Sequence, residues 1–137
     1  MGHMSNQGAM NQRGSTVKDK LYVNVKQAEI LKNTDSFGGK MEPYCKIRIN
    51  KVFKQTKWLK NVGTKPFWNE NLVFDAVEPN DLVVVEVYDK NVLKDDFNGQ
   101  FQISMRDIQA YKHDKLEWFD LYPKNARPGQ QKTGEIY

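Results

Sequence analysis

Acidic side chains gather at two places in this chain. Asp35 and Glu42 lie within TDSFGGKMEPY, and Asp89, Asn91, Asp95 and Asp96 lie within VVVEVYDKNVLKDDFNG, directly after a strongly apolar run. Lys46, Arg48, Lys51, Lys54, Lys57, Lys60 and Lys65 fill the stretch from Tyr44 to Lys65, which holds no acid. Oxygen ligands offered by flexible loops are what a hard divalent cation takes. A basic stretch between them, in a chain of net charge +4, suits an anionic partner bearing phosphate.

Other chemistries find little support. The single cysteine, Cys45, sits in an alternating apolar segment and reads as a buried thiol, which fits a reducing compartment. Only His113 is available as a base for it, with no third orienting group in view. There is no phosphate-loop glycine motif and no histidine cluster for a transition metal, so no enzyme is expected. An EF-hand is excluded by spacing, because Lys94 stands where a loop starting at Asp89 requires glycine. Single-strand nucleic-acid binding would use basic strands with Tyr and Trp. Paired acidic loops would repel a phosphate backbone, so no nucleic-acid partner is expected.

The elements that must position these residues read as strands. Leu21, Val23 and Val25 alternate with polar residues, as do Cys45, Ile47 and Ile49, the period-two signature of half-buried strands. Phe53–Lys60 reads as a third strand with Thr56 and Trp58 inward and Lys57 outward. Asn71–Ala76 and Leu82–Tyr88 follow, separated by the turn signal EPND. Gln100–Ile103, Trp118–Leu121 and Gly134–Tyr137 complete eight strands. Ser104 is placed to cap a short helix between the sixth and seventh. This pattern predicts an all-β sandwich or barrel, and in a sandwich the two acidic loops can share one end. Trp58, Trp68 and Trp118 read as core or edge packing. No run of 18 apolar residues is present to span a bilayer. MGHM reads as an expression scar, giving His3 no functional weight, and residues 5–16 read as a flexible polar tail. The expected division is residues 1–16 as scar and tail, and 17–137 as one domain.

With these residues in place, the chain resembles a C2 domain. LYVNVKQAEILKNTDSFGGKMEPYCKIRI is similar to that family's opening strand, its D-x-x-G-x-S-D-P-Y-V-K loop and the next strand. KPFWNENLVF is similar to N-P-x-W-N-E-x-F-x-F, and VVVEVYDKNVLKDDFNG to the V-x-D-x-D…D-F-I-G loop. EWFDL and TGEIY resemble the last two strands, so the likeness runs from about residue 20 to 137 in consistent order. The resemblance implies an eight-stranded antiparallel sandwich of type II topology that binds Ca²⁺ between two loops and docks on phospholipid. By motif position it makes Asp35, Glu42, Asp89, Asn91 and Asp96 the metal ligands. It also makes Tyr44, Lys46, Lys57 and Tyr88 a phosphoinositide-binding cluster on the concave sheet, which Arg48 and Lys60 extend.

Phe37, Val92 and Leu93 at the loop tips suit shallow insertion between headgroups, with Lys90 and Lys94 beside them to meet phosphate. Three departures bear on affinity. Glu42 replaces the usual Asp, Asn91 removes one negative charge, and the second loop is about one residue short. Asn98 also stands where an aliphatic residue usually precedes Gly99. Fewer charges weaken cation binding, so one or two low-affinity Ca²⁺ ions are expected. The implied function is calcium-dependent binding to anionic membranes containing phosphatidylserine or phosphoinositides, by a cytoplasmic, peripherally associated module. The alternative is a calcium-independent adaptor using the basic face for phosphoinositides or proteins.

Overall fold

The computed structural model describes residues 19–31, 40–111 and 117–137. The chain runs β1 (Asp19–Ile30), β2 (Pro43–Ile49), β3 (Val52–Gln55), β4 (Phe67–Val77), β5 (Leu82–Asp89), β6 (Asp96–Ser104), α1 (Met105–Gln109), β7 (Phe119–Leu121) and β8 (Gly134–Ile136). These strands form two four-stranded antiparallel sheets, ordered β4-β1-β8-β7 and β3-β2-β5-β6. The C-terminal strand therefore lies between β1 and β7, as the type II arrangement implies. The predicted fold class agrees with this architecture.

Alternation decides which side chains meet between the sheets. Cys45, Ile47 and Ile49 of β2 and Val83, Val85 and Val87 of β5 bury against Leu21, Val25, Leu72, Phe74 and Ile136 of the facing sheet. Burial also pushes the Cys45 thiol far above its ordinary pKa, with Glu86 adding to the effect, which leaves it protonated and inert. Asp81 closes the EPND turn by accepting from the Glu78 N–H at 2.8 Å. Ser104 caps α1 as the sequence predicts, its Oγ accepting from the Asp107 N–H at 3.1 Å.

Two sequence expectations are corrected. The third strand ends at Gln55 instead of Lys60, and Trp58 faces solvent. Thr56 N–H still bonds Cys45 O at 2.9 Å, so a regular ladder would next pair residue 58 with Pro43. Instead Leu59 N–H bonds Pro43 O at 3.1 Å. The extra residue acts like a bulge, turning Leu59 inward and Trp58 outward. In β1 a register shift between Val25 and Gln27 likewise moves the inward set to Ala28 and Ile30, so the alternation of Leu21, Val23 and Val25 does not continue through the strand. Trp68 is buried, with Nε1 donating to Pro43 O at 3.1 Å, and Trp118 lies edge-on to Tyr137.

The β1–β8 pair leaves no room for a side chain at Gly134, where a Cβ would stand 2.5 Å from Glu29 O. Gly134→Ala should lower unfolding free energy by about 1–3 kcal/mol in urea denaturation, because backbone must shift to admit the methyl. An unchanged midpoint would show that the strand pair is looser than this geometry.

Candidate cation and headgroup site

The pairing of β2 with β5 brings two surfaces together. Pro43 lies opposite Asp89, and Asp89 lies opposite Asp96 across β5–β6, so Glu42, Asp89 and Asp96 arrive at one end of this sheet. Asp89 is 1 % exposed, and its carboxylate accepts from Glu42 N–H at 2.8 Å. Lys90 N–H returns to Glu42 O at 3.0 Å, tying the two chain segments by a second bond. Asn91 bridges the loop, with Nδ2 donating to Asp96 Oδ2 at 2.6 Å and its backbone N–H to Asp95 Oδ1 at 3.0 Å. The expected first-loop ligand Asp35 and tip residue Phe37 lie outside the described residues. Among the described residues, no three His, Cys, Asp or Glu side chains form a group that could hold a metal ion. The donors present are nevertheless carboxylate and amide oxygens, the type that a hard cation takes.

The outer face of the same sheet carries an aromatic row. Tyr44 and Tyr88 are cross-strand partners with stacked rings 5.5 Å apart, and Phe97 meets Tyr88 edge-on at 5.6 Å. Lys46 Nζ stands over two rings, 4.6 Å from the Phe53 centroid and 5.7 Å from that of Tyr88. Thr56 extends the β2–β3 ladder, so alternation puts Lys57 on the Gln55 and Lys46 side. Lys57 is exposed, its backbone N–H held by Glu70 Oε2 at 2.9 Å. Arg48 and Lys60 are exposed as well.

Two acids enter this face from segments distant in sequence. Glu86 of β5 lies opposite Lys46 and is 4 % exposed. Burial and then Glu86 raise the Tyr88 pKa, against a lowering by Arg48. Asp95 joins the acidic end to the basic face. Its Oδ2 accepts from the Tyr44 hydroxyl at 2.5 Å, and Lys90 Nζ lies 3.9 Å from its Oδ1. Burial works to raise the Asp95 pKa, but the Tyr44 hydroxyl, the Asn91 N–H, Lys90 and Lys46 outweigh it and hold the carboxyl below its ordinary value. The Tyr44 phenol is pushed well up, by burial first and then by its bond to Asp95. Asp95 belongs to the acidic constellation of the sequence but is not one of the ligands that the resemblance implies. Nothing in the local sequence marked Glu86 as a neighbour of Lys46, since only strand register joins them.

At the loop tip, Val92 and Leu93 are 101 % and 97 % exposed, flanked by exposed Lys90 and Lys94. Adjacent apolar side chains with no protein contact are costly to leave in water.

A family model described as C2 domain matches residues 19–121, most of the chain. The chain belongs to the C2 domain family. Multiple C2 domain and transmembrane region protein 9 of Arabidopsis thaliana is 37% identical over 122 residues, covering 85% of this chain and 12% of that protein. A protein of the same plant named calcium-dependent lipid-binding protein is 36% identical over 101 residues, covering 72% of this chain and 19% of its own length. This C2 domain thus spans only a tenth to a fifth of those relatives. Among solved structures, a calcium-bound pair of C2 domains from extended synaptotagmin 2 superposes with a TM-score of 0.71 at 26% identity, covering 87% of this chain and 43% of that one.

The Tyr44–Asp95 bond links the C2 domain's loop end to its outer face and is open to test. Tyr44→Phe and Asp95→Asn should each cost about 1–2 kcal/mol in denaturant unfolding. Their double variant should fall short of the sum by about 1 kcal/mol. Strict additivity would mean that the bond contributes nothing in solution.

Proposed function

We propose that this C2 domain docks on anionic phospholipid membranes in a calcium-dependent manner, with its loop end entering the headgroup layer and its basic aromatic face binding phosphoinositide. One observation carries the reading. The loop that presents Asp89, Asn91 and Asp96 also holds Val92 and Leu93 fully exposed between lysines. Apolar tips flanked by lysine suit an interface in which one part is buried and the other meets phosphate. Asp35, Glu42, Asp89, Asn91 and Asp96 would hold the ion. When bound, Ca²⁺ supplies the positive charge that cancels the acidic end and leaves coordination positions for lipid phosphate. The Glu42 N–H holds Asp89 in place, and the Asn91 amide holds Asp96, so these carboxylates are oriented without the ion. The name of the plant calcium-dependent lipid-binding protein and the calcium-bound extended synaptotagmin 2 domains support the same direction.

On this reading the module associates peripherally with the cytoplasmic face of a membrane, with phosphatidylserine and phosphoinositides as its ligands. Among the described residues no helix is long and apolar enough to cross a bilayer. The reading is of a binding module and includes no catalytic step. A second reading, the calcium-independent adaptor, is favoured by one feature. Neutral Asn91 already satisfies an Asp96 oxygen, and Lys90 and Tyr44 already engage Asp95. The loop end is therefore partly compensated without a cation.

Sedimentation with phosphatidylserine vesicles separates the two. Binding should rise on adding Ca²⁺ and reverse with chelator; equal binding in both conditions would favour the adaptor. Asp89→Asn and the less buried Asp96→Asn should each diminish the calcium-dependent fraction, and unchanged sedimentation would remove them as ligands. Lys46→Ala and Lys57→Ala should each weaken phosphoinositide binding about fivefold, as loss of one surface cation near an anionic membrane does. The calorimetric Ca²⁺ isotherm should not move in either lysine variant.

A further inference from the structure

The segment joining β7 to β8 leaves the sandwich at the same end as the acidic loop of β5 and β6. Gly134 lies opposite Leu121 on one side and Ile30 on the other, and Leu31 N–H bonds Thr133 O at 2.9 Å. Ile30 N–H bonds Thr64 O at 2.8 Å, Val62 N–H bonds Met41 O at 3.0 Å, and Lys90 N–H bonds Glu42 O at 3.0 Å. This succession of bonds leads from the end of the first sheet to the end of the second that holds Asp89 and Asp96. Lys124 Nζ closes the same gap from the other side, 4.8 Å from the ring centroid of Phe97, the residue after Asp96.

The chemistry of this segment is opposite to that of the acidic loop. Between Leu121 and Gly134 it holds Lys124, Arg127 and Lys132, amides at Asn125, Gln130 and Gln131, and no acid. Lys132 is already engaged on the sheet, 3.4 Å from Asp120 Oδ1 and 3.3 Å from Glu135 Oε2. Among the described residues no carboxylate pairs with Lys124 or Arg127. Those two cations, with Asn125 and Gln130, line an open recess of about 590 Å³. Its wall is shaped in advance. Gln130 N–H bonds Arg127 O at 3.0 Å, and Arg127 N–H bonds Gln130 Oε1 at 3.1 Å. Asn125 and Gly129 take left-handed φ values of 55° and 84°. Tyr122 exchanges backbone bonds of 2.8 and 2.9 Å with Gln100, fixing the start of the segment. A guanidinium, an ammonium and amide N–H groups together are donors suited to phosphate oxygens.

We infer that the β7–β8 segment is a calcium-independent membrane anchor, in which Lys124 and Arg127 seat lipid phosphate in the recess whether or not the ion is bound; this rests on the reading of the loop end as membrane-facing. Position favours a lipid occupant, because the recess opens at the end that carries fully exposed Val92 and Leu93. Glu42, Asp89 and Asp96 repel an anionic surface until a cation cancels them. A site built of cations needs no such ion. The acidic loop therefore supplies the calcium-dependent part of the affinity and the β7–β8 segment a constant part, and independent contacts multiply.

The test measures the whole chain on phosphatidylcholine vesicles containing phosphatidylserine, in Ca²⁺ and in chelator. The unaltered chain should keep weak binding in chelator. Lys124→Ala with Arg127→Ala should lower binding about twentyfold in both conditions, at about fivefold for each membrane-facing cation. The ratio between the two conditions should stay within about twofold. Asp96→Asn should lower that ratio without lowering binding in chelator. Lys124 and Arg127 are exposed, so the double variant should fold. Lys132→Ala removes the same charge from the same segment, yet should change binding less than about twofold, because Lys132 already faces two carboxylates. A loss with Lys132→Ala as large as with Lys124→Ala would reduce the effect to net charge and overturn the anchor. Binding of the unaltered chain in Ca²⁺ but not in chelator would overturn the anchor and leave the calcium-dependent docking standing. No binding in either condition would overturn both. Unchanged vesicle binding by the double variant, with loss of its retention on immobilised polyglutamate, would assign the recess to an acidic protein segment and overturn the lipid assignment.

Discussion

Seven residue pairs, from Pro43 opposite Asp89 to Ile49 opposite Val83, set β2 on β5, and both surfaces of interest follow from that register. It stacks Tyr44 on Tyr88, places Lys46 opposite Glu86 and ends with Asp89 held by the Glu42 N–H. A slip of one residue would send every side chain of β2 to the opposite face. Lys46 would then enter the core, and Cys45 and Ile47 would face solvent. The inward Cys45, Ile47 and Ile49 set buried against Leu72 and Phe74 makes such a slip prohibitive, so packing of the interior fixes the chemistry of the exterior.

The two surfaces share a boundary, and Asp95 stands on it. Its carboxylate receives the Tyr44 hydroxyl from the aromatic row and the Asn91 N–H from the acidic loop, with Lys90 nearby. Exposed ion pairs contribute little individually, so the 3.9 Å Lys90 contact adds less to this junction than the Tyr44 bond to a charged acceptor. Positive charge on the outer face is likewise organised by rings. Lys46 and Lys124 are held over aromatic faces, which restricts where their ammonium groups can reach. Electrostatic attraction to a membrane is screened by salt beyond about 8 Å at physiological ionic strength. On the proposed docking, the face would act only once the domain is near the bilayer, with the loop tips reaching it first.

Period-two alternation made the strands legible, most plainly in LVVVEVY, whose buried valines are the centre of the second sheet. Capping and turn chemistry were legible because they are local, since Ser104 and Asp81 each act on backbone three residues away. Alternation failed where the ladder gains a residue. Between Thr56 and Leu59 the extra position turns Trp58 outward, and between Val25 and Gln27 a register shift resets β1. The placement of Glu42, Asp89 and Asp96 at one end of the sheet was readable because strand ends bring loops together, although their side chains form no metal-holding group among the described residues. Glu86 beside Lys46, and Lys124 over Phe97, were not readable, because those contacts depend on pairings that join segments far apart in the chain.

The depth of position 92 at a bilayer tests the account most directly. Cys45 is fully buried, so Val92→Cys offers one accessible thiol for a spin label. With phosphatidylserine vesicles and Ca²⁺ the label should become accessible to oxygen dissolved in lipid and shielded from an aqueous relaxation agent, and chelator should return it to water. A label that stays in water with Ca²⁺ present, while the domain is bound to the vesicles, would contradict docking through the acidic loop end.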